Sequence, residues 1–190
     1  MNTTNNGTQT RDGSAAAAYR PQLAIYHPNP SGTGCAMKLE MHPARGDEDG
    51  YFMMTMASQQ SVGDRRAAVK TYSKFNWEKC IVVKLDFSDI CRIMQVFRGE
   101  CESIEDGKGL YHISGNHHTK IVLRHILSPV SAYSLELYRN WSDRSEEDRS
   151  SHIVLTTAEA YGLSIAFENS IGYICFGVPR VKGENNGFAA

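Results

Sequence analysis

Cys80–Phe97 reads CIVVKLDFSDICRIMQVF, and His152–Phe167 reads HIVLTTAEAYGLSIAF. Each is an apolar run rich in β-branched residues, then a polar start signal, then apolar residues at helical spacing. Aligned without gaps, the helical parts place Asp89 on Glu159, Ile93 on Leu163 and Phe97 on Phe167. One strand-then-helix phrase therefore occurs twice, which predicts a group of strands and a helix, made twice. In the first copy Ile90, Ile93, Met94 and Phe97 recur at helical spacing and form one stripe over Ser88–Phe97. Asp86 or Ser88 can cap that helix, and Gly99 can stop it. In the second copy the helix starts at Thr156 or Thr157, with Glu159 placed as a capping-box acid, and runs to about Cys175, where Pro179 ends it. Gly162 and Gly172 would each cost such a helix about 1 kcal/mol relative to Ala, which favours close packing over free exposure.

Working outward, Leu23–His27 is a short apolar strand closed by the turn PNPSGTG. Cys35–His42 alternates, with Cys35, Met37, Leu39 and Met41 on one face and Ala36, Lys38, Glu40 and His42 on the other. The loop PARGDEDG leads to the strand Tyr51–Ala57, and residues 58–74 read as a polar, basic, rather long loop before the strand Cys80–Leu85. After the first helix come an acidic loop and three strands, Gly109–Ser114, Lys120–Leu127 and Tyr133–Trp141. The charged loop SDRSEEDRS leads into the strand His152–Leu155. Loops of hairpin length favour antiparallel pairing. The expected class is α+β, two antiparallel β-sheets with two helices in a duplicated (ββββα)×2 order.

At 190 residues the chain can bury one core and is short for two ordinary domains. Residues 1–22 are expected to form a disordered tail, 23–178 the folded domain, and 179–190 a second tail. The N-terminal tail is Ser/Thr-rich and poor in acid, as transit peptides are, but nearly lacks arginine, so a plain tail is preferred. No stretch approaches the ~18–20 consecutive apolar residues of a membrane span, so no membrane partner is expected. Five cysteines at wide spacing, with no CxxC, read as packed thiols of a reducing compartment. The cytoplasm, in association with a nucleoid, is the expected location, with an organelle matrix as the alternative.

The net charge of −1 excludes a global polyanion-binding signature and leaves room for a local one. Residues 62–84 hold Arg65, Arg66, Lys70, Lys74, Lys79 and Lys84 against only Asp64 and Glu78. Within that stretch Lys74, Phe75, Trp77 and Lys79 interleave cations with aromatic rings. Sequence-tolerant single-strand binding needs that pairing, cations for the phosphates and π-faces for the bases. Tyr138, Arg139 and Trp141 form a second such group, and Lys38, Lys120 and Arg124 stand on strands of alternating polarity. Strand-entry packing is the competing reading for Phe75, Trp77 and Trp141; a solvated face is the competing reading for the strand cations. Further rings, should these be packing, are Tyr51, Phe52, Tyr72 and Tyr138. His112, His117, His118 and His125 have no Cys or acid at zinc-like spacing, and the Gly-Asn-His-His run reads as a hairpin tip, so no metal is expected. GKG at 107–109 lacks the length and the Ser/Thr of a P-loop. Neither an enzymatic centre nor a cofactor is expected.

The order of elements resembles the Whirly family of single-stranded-DNA-binding proteins, a fold shared with kinetoplastid guide-RNA-binding proteins. FNWEK, Phe75–Lys79, is similar to the family's Tyr-Asp-Trp-(Glu/Ser)-Lys segment ahead of its fourth strand. TTAEAYGLSIAF, Thr156–Phe167, is similar to the Thr-x-Ala-Glu-Phe start of its last helix. The plant members' Lys-Gly-Lys-Ala-Ala-Leu segment finds only GCAMKL, Gly34–Leu39, with the single lysine Lys38. The resemblance implies a homotetramer with helices at its centre and single-stranded DNA, or RNA, crossing the sheets with little sequence preference. The binding residues it and the residue pattern nominate are Lys38, Lys70, Lys74, Phe75, Trp77, Lys79, Lys120, Arg124, Tyr138, Arg139 and Trp141. Ile93, Phe97, Leu163, Phe167 and Ile171 are nominated for the subunit interface, on the expectation that two helices with apolar stripes exceed what one small pair of sheets covers. A scaffold oligomer without nucleic-acid affinity is the remaining alternative.

Overall fold

The computed structural model describes residues 22–64 and 66–179; both expected tails lie outside these residues except at their borders. The strands are β1 (Gln22–His27), β2 (Cys35–His42), β3 (Tyr51–Ser61), β4 (Lys74–Phe75), β5 (Ile81–Leu85), β6 (Leu110–Ser114), β7 (His117–Ile126), β8 (Ala132–Trp141) and β9 (Arg149–Thr156). The helices are α1 (Phe87–Phe97), a 3-10 turn (Ile104–Gly107) and α2 (Thr157–Phe176). The duplicated order of strands and helix holds, with β4 and the 3-10 turn added.

Every pairing is antiparallel. β1, β2 and β3 run side by side, and β3 has two further neighbours. Its first half pairs with β5, from Phe52↔Leu85 to Met56↔Ile81. Its far end pairs with β4, Gln59 against Phe75 and Ser61 against Lys74, across an irregular register. The second sheet is the meander β6-β7-β8-β9. Alternation decides the inward faces, because successive strand residues point to opposite sides. Met37 and Leu39, Met54 and Met56, Ile81, Val83 and Leu85 line the first sheet's inner face. Ile121 and Leu123, Leu135 and Leu137, Ile153 and Leu155 line the second's. Ile90, Ile93 and Val96 of α1 and Ala160, Leu163, Phe167 and Ile174 of α2 complete the same core.

Both helix starts are capping boxes. The Asp86 carboxylate accepts from the Asp89 N–H at 2.9 Å, and the Asp89 carboxylate accepts from the Asp86 N–H at 3.1 Å. The Thr156 hydroxyl accepts from the Glu159 N–H at 3.2 Å, and Glu159 accepts from the Thr156 N–H at 2.8 Å. Each reciprocal pair satisfies donors that a helix start leaves open.

Several boundaries differ from the sequence reading; β9, for one, begins at Arg149, inside the stretch read as a charged loop. β3 runs on to Ser61, because its alternation persists into residues read as loop and Gln59 is buried. The tip of the β6–β7 hairpin is Gly115–Asn116, so His117 and His118 open a strand instead of forming the turn. Gly177, not Pro179, stops α2. Its φ of 73° suits glycine, and a Cβ there would lie 2.5 Å from the Ala44 carbonyl oxygen. The β2–β3 loop closes over that helix end: the Ala44 and Gly50 N–H groups donate to the Tyr173 and Ile174 carbonyls at 2.9 and 3.0 Å.

Candidate nucleic-acid interface

The outer face of the first sheet collects the aromatic and cationic residues. Lys38 stands on the outward side of β2, and its Nζ lies 4.0 Å from the centroid of Trp77. Trp77 tilts against Phe75 at 6.4 Å, and Phe75 against Tyr26 of β1 at 5.7 Å. Tyr26 opposes Ala36, and Ala36 opposes Ala57. Both alanines are fully buried although they face away from the core. The ring contacts place the 74–79 segment over this part of the sheet, and small residues beneath let it lie close. Asn76 secures the segment, its N–H donating to the Ser58 carbonyl at 2.9 Å and its side chain accepting from the Lys79 N–H at 3.1 Å. The result is a file Tyr26–Phe75–Trp77–Lys38 with half-buried rings in the middle and exposed Lys74 and Lys79 on the segment that carries them; Lys70 is exposed on the loop ahead of β4. At the other end of the face Lys84 lies 4.4 Å over Tyr51, which stacks on His42 at 4.4 Å.

The second sheet has a shorter row. Tyr111, Lys120 and Tyr138 occupy one register line across β6, β7 and β8. Lys120 Nζ lies 5.2 Å over the Tyr111 ring, and Arg124 is exposed further along β7. Tyr138 donates its hydroxyl to Glu136; that bond raises the tyrosine's pKa, and bonds from Tyr138 and Ser134 hold Glu136 below the usual carboxylate range against the opposing effect of burial.

Arg139 and Trp141 are placed differently. Arg139 donates to the Thr119 hydroxyl at 3.0 Å and to the Val82 carbonyl, bridging the second sheet to the edge strand of the first. Burial, then the neighbouring Arg149, lowers its pKa. Trp141 is 9% exposed and lies under the Arg149 guanidinium at 5.0 Å. The structure gives this pair the junction between sheets, and Phe52 is likewise core.

The five residues nominated for a subunit interface lie within the chain's own packing. Ile93, Leu163 and Phe167 are buried, Phe167 edge-on to Phe52 at 5.1 Å. Phe97 meets Tyr133 edge-on at 5.3 Å, and Ile171 packs against the core. The residues that α2 leaves exposed are Thr157, Ala158, Tyr161, Gly162, Ile165, Glu168, Asn169, Gly172, Tyr173 and Phe176, apolar or small for the most part. A Cβ on Gly162 or Gly172 would meet nothing within 4 Å. One protomer thus covers both inner stripes and leaves a second apolar side of α2 in solvent.

Two histidines bind the capping acids. His27 Nε2 lies 2.7 Å from Glu159 Oε1, and His112 Nε2 lies 3.1 Å from Asp89 Oδ2, off the line of a good hydrogen bond. The Asp89 carboxylate raises the His112 pKa. His125 stacks on Tyr133 at 4.5 Å, and His117 tilts on Trp141 at 5.9 Å. Among the described residues, no three His, Cys, Asp or Glu side chains converge as metal ligands do. The five cysteines form no disulfide, and burial pushes the Cys35 thiol up to about 11. No described helix is long and apolar enough to cross a membrane.

Sequence reading missed Tyr26 and Tyr111, single rings on strands that acquire partners only through pairing. It also missed Gln59, whose role depends on two loops meeting.

The architecture is that of the Whirly proteins. WHY1 from Arabidopsis thaliana superposes with a TM-score of 0.66 at 18% identity, covering 85% of this chain and 88% of its own. WHY3 from the same plant gives 0.64 at 18% identity, covering 84% of this chain and 90% of its own. The plant transcriptional regulator PBF-2 gives 0.63 at 19% identity, with 84% of each chain covered. No family model matches the sequence, and no curated protein does. At this identity the likeness establishes a shared fold.

Proposed function

We propose that this chain binds single-stranded nucleic acid, DNA foremost, with little sequence preference and without catalysis. The single observation that carries the reading is the file Tyr26–Phe75–Trp77–Lys38 with Lys74 and Lys79 on the same segment, in a chain whose net charge is −1. Lysines along the file capture phosphates, and half-buried rings offer faces to bases, each stack contributing about 1–3 kcal/mol. Tyr111, Lys120, Tyr138 and Arg124 offer a second, shorter row of rings and cations on the other sheet. The shared fold with a plant transcriptional regulator supports a nucleic-acid role. The outward apolar side of α2 supports self-association, and a homotetramer with this helix at its centre would expose both sheets. Such a protein would shield single strands during replication, recombination or repair.

The test is a gel-shift series with one sequence as single-stranded DNA, duplex DNA and RNA, for the native chain and Trp77→Ala. The native chain should prefer single strands, since a duplex hides its base faces in its own stack. Trp77→Ala should lower single-strand affinity by about five- to a hundredfold while duplex binding changes little. Equal binding of single and double strands would overturn stacking as the mechanism. A preference for RNA would redirect the reading to the RNA-binding branch of the fold.

A further inference from the structure

The aromatic file does not stop at Tyr26 and Phe75. Both rings also line a recess of about 510 Å³ between residues 28–30 and residues 62–64, 66 and 71–73, with Pro28, Val62, Tyr72 and Arg66 around it. Its two walls are held at a fixed spacing by one buried side chain. Gln59 is 8% exposed. Its carbonyl accepts from the Asn29 and Gly34 N–H groups at 2.9 and 3.1 Å. Its amide donates to the Asn29 and Ser61 carbonyls, each at 3.1 Å, and to the Ser73 hydroxyl at 3.5 Å. Each donor and acceptor of the amide is used, so the turn and the loop are tied through one fully satisfied hub. The loop's neck is pinned independently. The Asp64 N–H donates to the Thr71 hydroxyl at 2.8 Å, and the Thr71 N–H donates to the Asp64 carbonyl at 2.9 Å. The Gly63 N–H donates to the Ser73 hydroxyl at 3.1 Å, and a Cβ on Gly63 would come within 2.6 Å of the Ser73 nitrogen.

We propose that this recess takes one unstacked nucleobase of a bound single strand and favours a purine there. The inference rests on the function proposed above and adds a subsite to it. Three observations fix the occupant. The recess is continuous with the platform through Tyr26 and Phe75, so a strand on the file reaches it without turning back. Its rim carries the exposed cation Arg66, which suits a flanking phosphate, while the Asp64 carboxylate beside it is spent on the Arg66 and Ala67 N–H groups at 2.8 and 3.1 Å. Its lining offers rings and aliphatic surface, while Asn29, Thr71 and Ser73 spend their polar side chains on the loops themselves. Recognition there follows stacking area more than base-edge hydrogen bonds, so adenine and guanine are favoured over pyrimidines with little distinction between them.

The test uses the full chain and two oligothymidylates, one plain and one with a single 2-aminopurine near its centre. The native chain should bind the purine-bearing strand severalfold more tightly and quench its fluorescence. Tyr72 is 73% exposed, so its removal spares the core. Tyr72→Ala should lower affinity for the purine-bearing strand by about fivefold or more and relieve the quench, and Tyr72→Phe should retain both. Equal native affinity for the two strands, or a purine preference that survives Tyr72→Ala, overturns the recess and leaves the binding function intact. Loss of the preference in Tyr72→Phe as well overturns stacking as its basis. A native chain that binds neither strand overturns the subsite together with the function it extends.

Discussion

At the start of α1, Asp89 ties back to Asp86 and reaches His112 on β6; at the start of α2, Glu159 ties back to Thr156 and reaches His27 on β1. The two acids are the residues that the gapless alignment of the copies superposes. From there the helices diverge. Asp89 is 4% exposed, whereas Glu159 is half-buried. The outward side of α1 carries Ser88, Arg92 and Gln95, with Arg98 at its C-cap and one exposed ring, Phe87, in its first turn; that of α2 carries mostly apolar and small residues, with Glu168 and Asn169 among them. Arg92 and Arg98 pair with Glu105 and Glu168, both at 3.0 Å. The comparison separates two jobs that one sequence phrase performs. The cap and its histidine hold a helix against the sheets, and the outward face decides whether the helix ends in water or against a neighbour. The two copies share the former and differ in the latter.

The largest effect should distinguish the two sides of α2. Phe167→Asp buries an unpaired charge between both sheets and should cost about 3–5 kcal/mol or unfold the chain, read by denaturant melts. Ile165→Asp, on the outward side of the same helix, should leave the protomer folded by circular dichroism and abolish self-association in light scattering. A folded Ile165→Asp variant that keeps the native assembly would remove α2 from the subunit interface.

A smaller effect should separate the two caps. Asp89→Ala should destabilise more than Glu159→Ala, by about 1–3 kcal/mol against about 1 kcal/mol, because it leaves His112 facing a gap in a buried site. Equal losses would mean that burial of the acid contributes nothing beyond the cap.

The smallest concerns pH. A histidine whose pKa is raised on folding binds its proton more tightly in the native state, so its contribution is full below the unfolded value of about 6.5. It is lost as pH rises through the native value. The stability of the native chain should therefore fall as pH rises above about 6.5, and His112→Gln should flatten that slope. Identical slopes in the two proteins would show that the carboxylate beside His112 does not hold its proton.

The duplication, the capping acids and the strand alternation were legible because each is a local pattern. Asp86, Asp89, Thr156 and Glu159 declare their roles within four residues of chain. The Phe75–Trp77 segment was legible as chemistry, since cations and rings alternate there. What the string could not show was which partners distant strands supply. Arg139 and Trp141 carry the same residue types as the platform, yet the edge of β5 and the Arg149 guanidinium claim them. Leu163 and Phe167 look suited to a subunit interface until two sheets are seen to cover them. Residues 58–61 look like loop because a strand end bordered by polar residues has no apolar rhythm, and Gln59 is hidden by hydrogen bonds rather than by hydrophobicity.

The histidine contacts are exchanged between the halves: the acid of the first helix is held by the first strand of the second half, and that of the second helix by the first strand of the first. Neither half contains the histidine its own helix uses. A protein cut in the 98–103 connection would therefore yield two pieces that each lack a clasp and regain it only by reassociating.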